Sequence, residues 1–533
     1  MELKMLNPEY VQQMTGKGGR KIYLVEFSGK YVEELLARYK MEEYLAGVLC
    51  DTTDRMSGSV AKGSREVIVR GVSLPVYPYT YFCELGEDAS FIILSDYFRE
   101  CFDKLYKQGD GDVRKDGLGK TVHSRHPYIY YFADRETEIE LSYRELYQNR
   151  HLENLIVFRS GPHASSYVKG MDYGDNARAL FEYMLEEGCN CKYELVWLVK
   201  NPSEYAYISE EYENVRFLSF DWSVSEEKQK RDAYYRALCL AKYIFMTDAY
   251  GFCRNARKDQ IRVQLWHGCG FKTRINFTRC EKRYEYNIVV SEVYKKIHQK
   301  IYGLREDQVL VTGYPKNDWL FHPDTDWKKK MNVPEAGHYI FWLPTFRRAV
   351  GQLEELDEKA PEGQTGLPIV RTIEELGRLD GFLKAKDAVL IIKLHPFQDS
   401  SCIYQEGTAN IVLLDNGMLV EKNLQINQIL CAADGLISDY SSAAVDYLLL
   451  DRPLAFTLDD VEEFERSRGF VFDPIRDWLP GNEIYSYEEF TDFIGDVVDG
   501  RDKNKKKRRI LAGRMHRFFD DRSSKRVLDA LGI

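Results

Sequence analysis

The chain has 533 residues, of which 44% are hydrophobic and 13% aromatic, with a net charge of −10. That length exceeds a single ordinary core and predicts three or four domains, and the apolar content excludes a disordered polypeptide. The acidic balance excludes a general nucleic-acid binder, which needs a basic face to neutralise phosphates.

From the N-terminus, KIYLVEF (21–27) reads as a strand, followed by Ser28-Gly29-Lys30 and an amphipathic stretch to Tyr44. Leu45 to Cys50 and SFIILS (90–95) read as further strands, the last one ahead of a helical pattern through Tyr106. Alternation of this kind predicts a parallel sheet, so residues 1–120 are expected to form a small Rossmann-like accessory domain. A pyrophosphate-cradling turn there would use three glycines. Gly29 stands alone, which favours packing or partner docking over a nucleotide site. The Gly-rich and charged stretch KQGDGDVRKDGLGKTVHSR (107–125) breaks the pattern, and residues 121–150 are read as a linker.

Residues 151–325 alternate the strands LIVFRS (155–160), ELVWLV (194–199), VRFLSF (215–220), YIFMTD (243–248), RVQLWHG (262–268) and NIVVS (287–291) with helices such as 176–187 and 226–241. After a polar stretch from His322 to Gly337, residues 326–533 repeat the scheme with YIFWLP (339–344), AVLIIKLHP (388–396), NIVLLD (410–415), GLISD (435–439) and PLAFT (453–457), ending in a helical segment. Two facing Rossmann-like domains with a cleft between them, preceded by a smaller one, describe an α/β chain with a GT-B-like pair. Eleven scattered cysteines, with one close pair at Cys189 and Cys191, point to reduced thiols. No signal pattern and no membrane-spanning run is evident, so a cytoplasmic chain is predicted.

Five motifs fall where strands of the second and third domains end, the edge at which open α/β sheets bind ligands. In Trp266-His267-Gly268, with Lys272 following, an imidazole titrating near neutrality can take a proton from a hydroxyl and the lysine can balance phosphate charge. The plain alternative for His267 is a buried histidine beside a core tryptophan. In Thr312-Gly313-Tyr314-Pro315-Lys316-Asn317-Asp318 and in Lys393-Leu394-His395-Pro396, cations again follow apolar runs. Arg347, in Pro344-Thr345-Phe346-Arg347, can grip phosphate oxygens bidentately or form a surface ion pair. In Asp439-Tyr440-Ser441-Ser442 the hydroxyls and backbone N–H groups at a helix start would suit an anion, or serve only as an N-cap. Asp324-Thr325-Asp326 has the spacing of a metal-dependent transferase but lies in a polar loop, and no metal is called for.

With all five in order, the segment from about 155 onward resembles the CDP-glycerol:glycerophosphotransferase family, the teichoic acid primases and polymerases. Lys316 stands where the family carries arginine, Cys269-Gly270 where it often has Thr-Pro, and Asp446, Pro453 and Arg468-Gly469-Phe470 extend the match. The resemblance implies a GT-B fold and transfer of glycerol phosphate or a related polyol phosphate from a CDP-linked donor to a hydroxyl, releasing CMP, with the donor as substrate and no cofactor. His267 would be the base, with His395 a second catalytic group, and Lys272, Lys316, Arg347, Lys393, Asp439, Ser441 and Ser442 would hold the donor. The implied acceptor is lipid-linked or a glycan. KNKKKRR (503–509) beside Ile510, Leu511, Met515, Phe518 and Phe519 would suit a peripheral contact with the inner face of the cell membrane. The acidic total favours instead a helix packed across both domains. A nucleotide-sugar glycosyltransferase and a nucleotide-binding scaffold are the competing readings.

Overall fold

The computed structural model describes the chain except residues 1, 17–18, 27–28, 51–65, 86–88, 96–97, 100, 104, 106–113, 116–120, 123–127, 162–170, 248–251, 254–255, 274–283, 345–363, 394–407 and 468. Three large open sheets organise the described residues, with a fourth, two-stranded pair formed by Arg114–Lys115 and Thr121–Val122. In the first, the order is Glu2–Met5, Tyr128–Tyr131, Ala89–Ile93, Lys21–Val25, Leu45–Cys50, Val72–Pro78 and Glu66–Val69. All neighbours run parallel except the terminal hairpin pair. Residues Arg135–Tyr147, inside the stretch read as a linker, form a helix, and Tyr128–Tyr131 is an interior strand.

The second sheet runs Val215–Ser219, Glu194–Val199, Glu153–Arg159, Ala241–Met246, Ile261–Gln264, Tyr286–Val289, Val309–Val311, and every pair is parallel. Counted along the chain this is the order 3-2-1-4-5-6 with one strand added. The third sheet, Ile411–Leu414, Ala388–Lys393, His338–Trp342, Gly435–Ser438, Leu454–Thr457, Asn482–Ile484, has the same order. Such a reversal opens a crevice at the carboxyl ends of the two central strands, so each sheet has one switch point: between Glu153–Arg159 and Ala241–Met246, and between His338–Trp342 and Gly435–Ser438. The architecture is α/β and GT-B-like, as the strand pattern predicts.

Strands buried on both faces, such as Leu155 to Phe158 and Leu390 to Ile392, need the continuous apolar runs that the sequence shows. One core cluster extends from the second domain into the third and includes Met515, Val527 and Leu528 near the C-terminus. Helix Ser523–Leu531 returns to the second domain, where Asp318 accepts from Ser523 N and Ser524 N, each at 2.8 Å. Helix Lys505–Met515 buries Leu511, Ala512 and Met515 and reaches elements of both domains. Arg508 in its first turns is fully buried between Asp451 and Asp502.

Candidate functional site

The strand Ile261–Gln264 ends in a sharp reversal: Trp266 takes a left-handed backbone with φ 57°. The turn is held from below by Asn176, whose side-chain amide donates to Leu265 O at 3.2 Å and Trp266 O at 2.9 Å while its oxygen accepts from Lys316 N at 3.1 Å. This places His267 at the surface with its ring stacked on Trp266, centroids 5.1 Å apart. Gly268 lets the loop meet the third domain. A Cβ there would lie 2.5 Å from Ser442 Oγ, so no larger residue fits without moving the serine.

Among the described residues three histidines are near this junction, and their surroundings differ. His298 is buried under Trp266, its Nδ1 paired with Asn287 Oδ1 at 2.6 Å, and burial with the nearby His267 charge pulls its pKa down to about 3. Its Nε2 faces Cys269 Sγ at 3.8 Å, and Cys269 in turn meets the Tyr314 hydroxyl at 3.0 Å. His516 is buried against Val445 O at 2.8 Å, and burial lowers its pKa as well. Both stay neutral near pH 7, and His267 is the one with access to solvent.

Lys316 is buried just behind the loop. Its Nζ donates to His267 O and sits 3.5 Å from Asp175 Oδ1 and 3.5 Å from Asp446 Oδ2, so it joins a second-domain carboxylate to a third-domain one. Burial opposes the charge, yet Asp175 and then Asp446 outweigh it and hold the pKa above its ordinary value. Asp446 also accepts from Asn317 Nδ2 at 3.0 Å, and Asn317 Oδ1 accepts from Asn427 Nδ2 at 3.1 Å. These contacts fix how the two domains meet at the loop that carries His267.

Lys272 lies on a second crossing. It bridges to Phe470, Thr273 N donates to Gly469 O at 3.1 Å, and Val471 N donates to Phe271 O at 2.8 Å. Its ammonium stands 5.7 Å over the Phe464 ring, which packs against Tyr440 at 4.4 Å. Asp439 is buried at the end of strand Gly435–Ser438. Ser441 caps the short helix that follows, accepting from Ala443 N at 3.4 Å and keeping its own hydroxyl proton to donate.

Lys393 closes the strand Ala388–Lys393 and lines a cavity of about 170 Å³ between the domains, with Asp175 and Thr247 on one side and Asn416 and Gln425 on the other. Burial pulls its pKa down to about 8, with Asp415 pulling the other way. Arg347 and His395 lie outside the described residues. Asp324, from the D-x-D spacing, turns back on itself, accepting from Asp326 N at 2.9 Å and pairing with Lys330. Sequence reasoning gave no site role to Asp175, Asn176, Asn287 and His298, each of which acts here only through packing with a distant segment.

A family model described as CDP-Glycerol:Poly(glycerophosphate) glycerophosphotransferase matches residues 145–532. The teichoic acid ribitol-phosphate polymerase TarK of Staphylococcus aureus is 26% identical over 336 residues, covering 58% of this chain and 61% of that one. A teichoic acid poly(glycerol phosphate) polymerase of Staphylococcus epidermidis is 24% identical over 62% of this chain and 47% of its own length. The chain thus spans about half to three-fifths of the length of these relatives. A teichoic acid glycerol-phosphate transferase of Staphylococcus aureus is 23% identical over 71% of this chain and 93% of its own. The solved structure of the wall teichoic acid polymerase TagF shares the fold, with a TM-score of 0.56 at 21% identity over 75% of this chain and 93% of that one.

Proposed function

Because the chain belongs to the CDP-glycerol:poly(glycerophosphate) glycerophosphotransferase family, we propose that it transfers glycerol phosphate, or a related polyol phosphate, from a CDP-linked donor to a hydroxyl acceptor in the synthesis of a teichoic-acid-like or capsular polymer. The observation that carries the reading is the exposed His267 ring, set on Trp266 at the meeting of the two domains while its neighbours His298 and His516 are buried and neutral.

In the reaction the acceptor oxygen attacks the phosphorus that bears the polyol, the bond to the bridging oxygen of the pyrophosphate breaks, and CMP leaves with that electron pair. His267 takes the hydroxyl proton as the new P–O bond forms. Its backbone is fixed by Asn176 through Trp266 O and by Lys316 through its own carbonyl, which sets the ring without blocking it. On the facing domain, Lys393 at the cavity and the Ser441 and Ser442 hydroxyls supply donors for the pyrophosphate, and Lys272 adds charge from the crossing strand. Arg347 and His395 are assigned to the same donor by the family motifs alone. Stabilising the charge that builds on the transferring and leaving oxygens is then the main source of acceleration.

The acceptor in this reading is a lipid-linked or glycan hydroxyl. No helix among the described residues is long and apolar enough to cross a membrane, so work at a membrane would rely on a peripheral contact. Ile510 and Phe519, each about half exposed, are the apolar tips beside the lysines of 503–507. The test is CMP release from CDP-glycerol, CDP-ribitol and a UDP-sugar in the presence of a glycerol phosphate acceptor. Release confined to a CDP-polyol is expected, and turnover of the UDP-sugar alone would replace this reading with a glycosyltransferase.

A further inference from the structure

Arg159 is the last residue of the strand Glu153–Arg159, on one side of the switch point of the second sheet. It is 8% exposed. Its Nε is buried with no hydrogen-bond partner, and among the described residues the guanidinium forms no salt bridge. It lies between two aromatic rings, 4.7 Å from the Phe220 centroid and 5.1 Å from that of Phe252. Those rings come from the segments that follow the strands Val215–Ser219 and Ala241–Met246, at the same carboxyl edge. Asp172 stands nearby with Oδ2 taken by Lys200 N at 2.7 Å and Oδ1 buried without a partner.

A buried cation without a partner is destabilising, and native proteins pair such groups or use them. Among the described residues Tyr234 and the carboxylates of Glu136, Asp172 and Asp221 act on Arg159 at a distance, and they do not make up for the lowering of its pKa by burial. The guanidinium stays protonated in any case. Two flanking rings attract the cation without taking up its N–H groups, which remain donors for a ligand. The donors suit a phosphate, and the unpartnered Asp172 oxygen suits a hydroxyl. A polyol phosphate unit offers both.

The position selects which substrate would supply it. Most of the groups assigned to the CDP donor lie on the third domain, with Lys272 the exception, whereas Arg159 belongs to the second, two strands along from the one that leads to His267. At a spacing of about 4.8 Å per strand that is a lateral distance of roughly 10 Å, within reach of a phosphodiester close to the attacking hydroxyl. On the reading of the reaction given above, we infer that Arg159 is an anchor for a phosphodiester of the acceptor chain, with Asp172 receiving a hydroxyl of the same polyol unit.

The probe is a synthetic glycerol phosphodiester trimer, titrated calorimetrically into the full chain and into the variants Arg159→Met and Arg159→Lys, with CDP titrated in parallel. The wild type should bind the trimer with an affinity that falls as salt rises. Arg159→Met should bind it at least tenfold more weakly, Arg159→Lys should fall between, and both should keep the affinity for CDP. Since the arginine has no hydrogen bond or salt bridge among the described residues, Arg159→Met should melt no lower than the wild type. Equal trimer affinity in wild type and Arg159→Met, no trimer binding by the wild type, a loss confined to CDP, or a lower melting temperature with weakened binding of both ligands would each overturn the assignment. The reaction is judged separately: trimer binding that depends on Arg159, without CMP release from any CDP-polyol, would keep the anchor and discard the transferase.

Discussion

Lys316 is buried and Lys393 half-buried at the cleft between the second and third domains, and their surroundings treat the ammonium in opposite ways. Around Lys316 two carboxylates and a carbonyl oxygen compensate burial, and the charge is held more firmly than in water. Around Lys393 burial wins against Asp415, and the pKa falls to about 8. The first is a brace: its bonding capacity is taken up by the protein, and in the proposed reaction it would act through the His267 backbone it holds. The second borders an inter-domain cavity with its charge under-compensated, the condition in which a bound pyrophosphate would be most favourable. A buried lysine is therefore read by counting its partners before assigning it to a ligand.

The largest expected effect belongs to the ring that the brace holds. His267→Ala should slow transfer by about 10²–10⁴-fold, the usual contribution of a general base, while CDP affinity and melting temperature stay near wild type because the ring is exposed. Single-turnover CMP release measures the first and calorimetry the others. Near-normal turnover would remove His267 from the chemistry and with it the meaning given to Lys316.

Next comes the brace itself. Lys316→Met would leave Asp175 and Asp446 facing each other across the domain junction without their cation. Breaking a buried pair in this way costs about 3–5 kcal/mol, to be read as a lower denaturation midpoint, and the freed His267 carbonyl should lower kcat as well. A variant as stable as the wild type would show that the two carboxylates find other partners and that Lys316 is not what sets the junction.

Much of this was legible in the sequence. Continuous apolar runs gave strands such as Glu194–Val199 and Leu45–Cys50 at their observed bounds, since a parallel strand buried on both faces has no polar alternation to blur it. Helix Arg135–Tyr147 was not legible. It buries Tyr143 and Arg144 rather than an apolar stripe, and Arg144 is satisfied by Gln260 at 2.8 Å, so the stretch reads as polar and linker-like. The motif around His267 marked the turn after Ile261–Gln264, because a strand that ends in Trp-His-Gly announces one. The brace was not visible: Asp175, Lys316 and Asp446 lie on three distant segments and meet only when the domains pack. The same motif logic grouped Lys316 with Lys393, although their electrostatic environments are opposed.

The smallest effect sharpens that opposition through pH. Folded Lys393 titrates near 8 against an ordinary 10.5, so between these values the unfolded chain binds more protons than the folded one, and stability rises with pH across that window. Below pH 8 the folded state carries the whole penalty of the buried charge, on the order of 3 kcal/mol at most. Lys393→Met removes the charge and keeps the stem. It should therefore be more stable than the wild type at pH 7, with the gap closing as pH climbs from 8 towards 10.5, as denaturant midpoints at a series of pH values would record. CDP affinity should move the other way, because the charge that destabilises the empty cleft is the one a pyrophosphate can use. The wild type should lose affinity as pH rises through about 8, and Lys393→Met should bind CDP roughly tenfold more weakly at pH 7, as expected for one hydrogen bond to a charged group, with little change on raising the pH. Were the variant less stable than the wild type at neutral pH, Lys393 would be a second brace with partners like those of Lys316, and the donor pyrophosphate would have to be held by other residues.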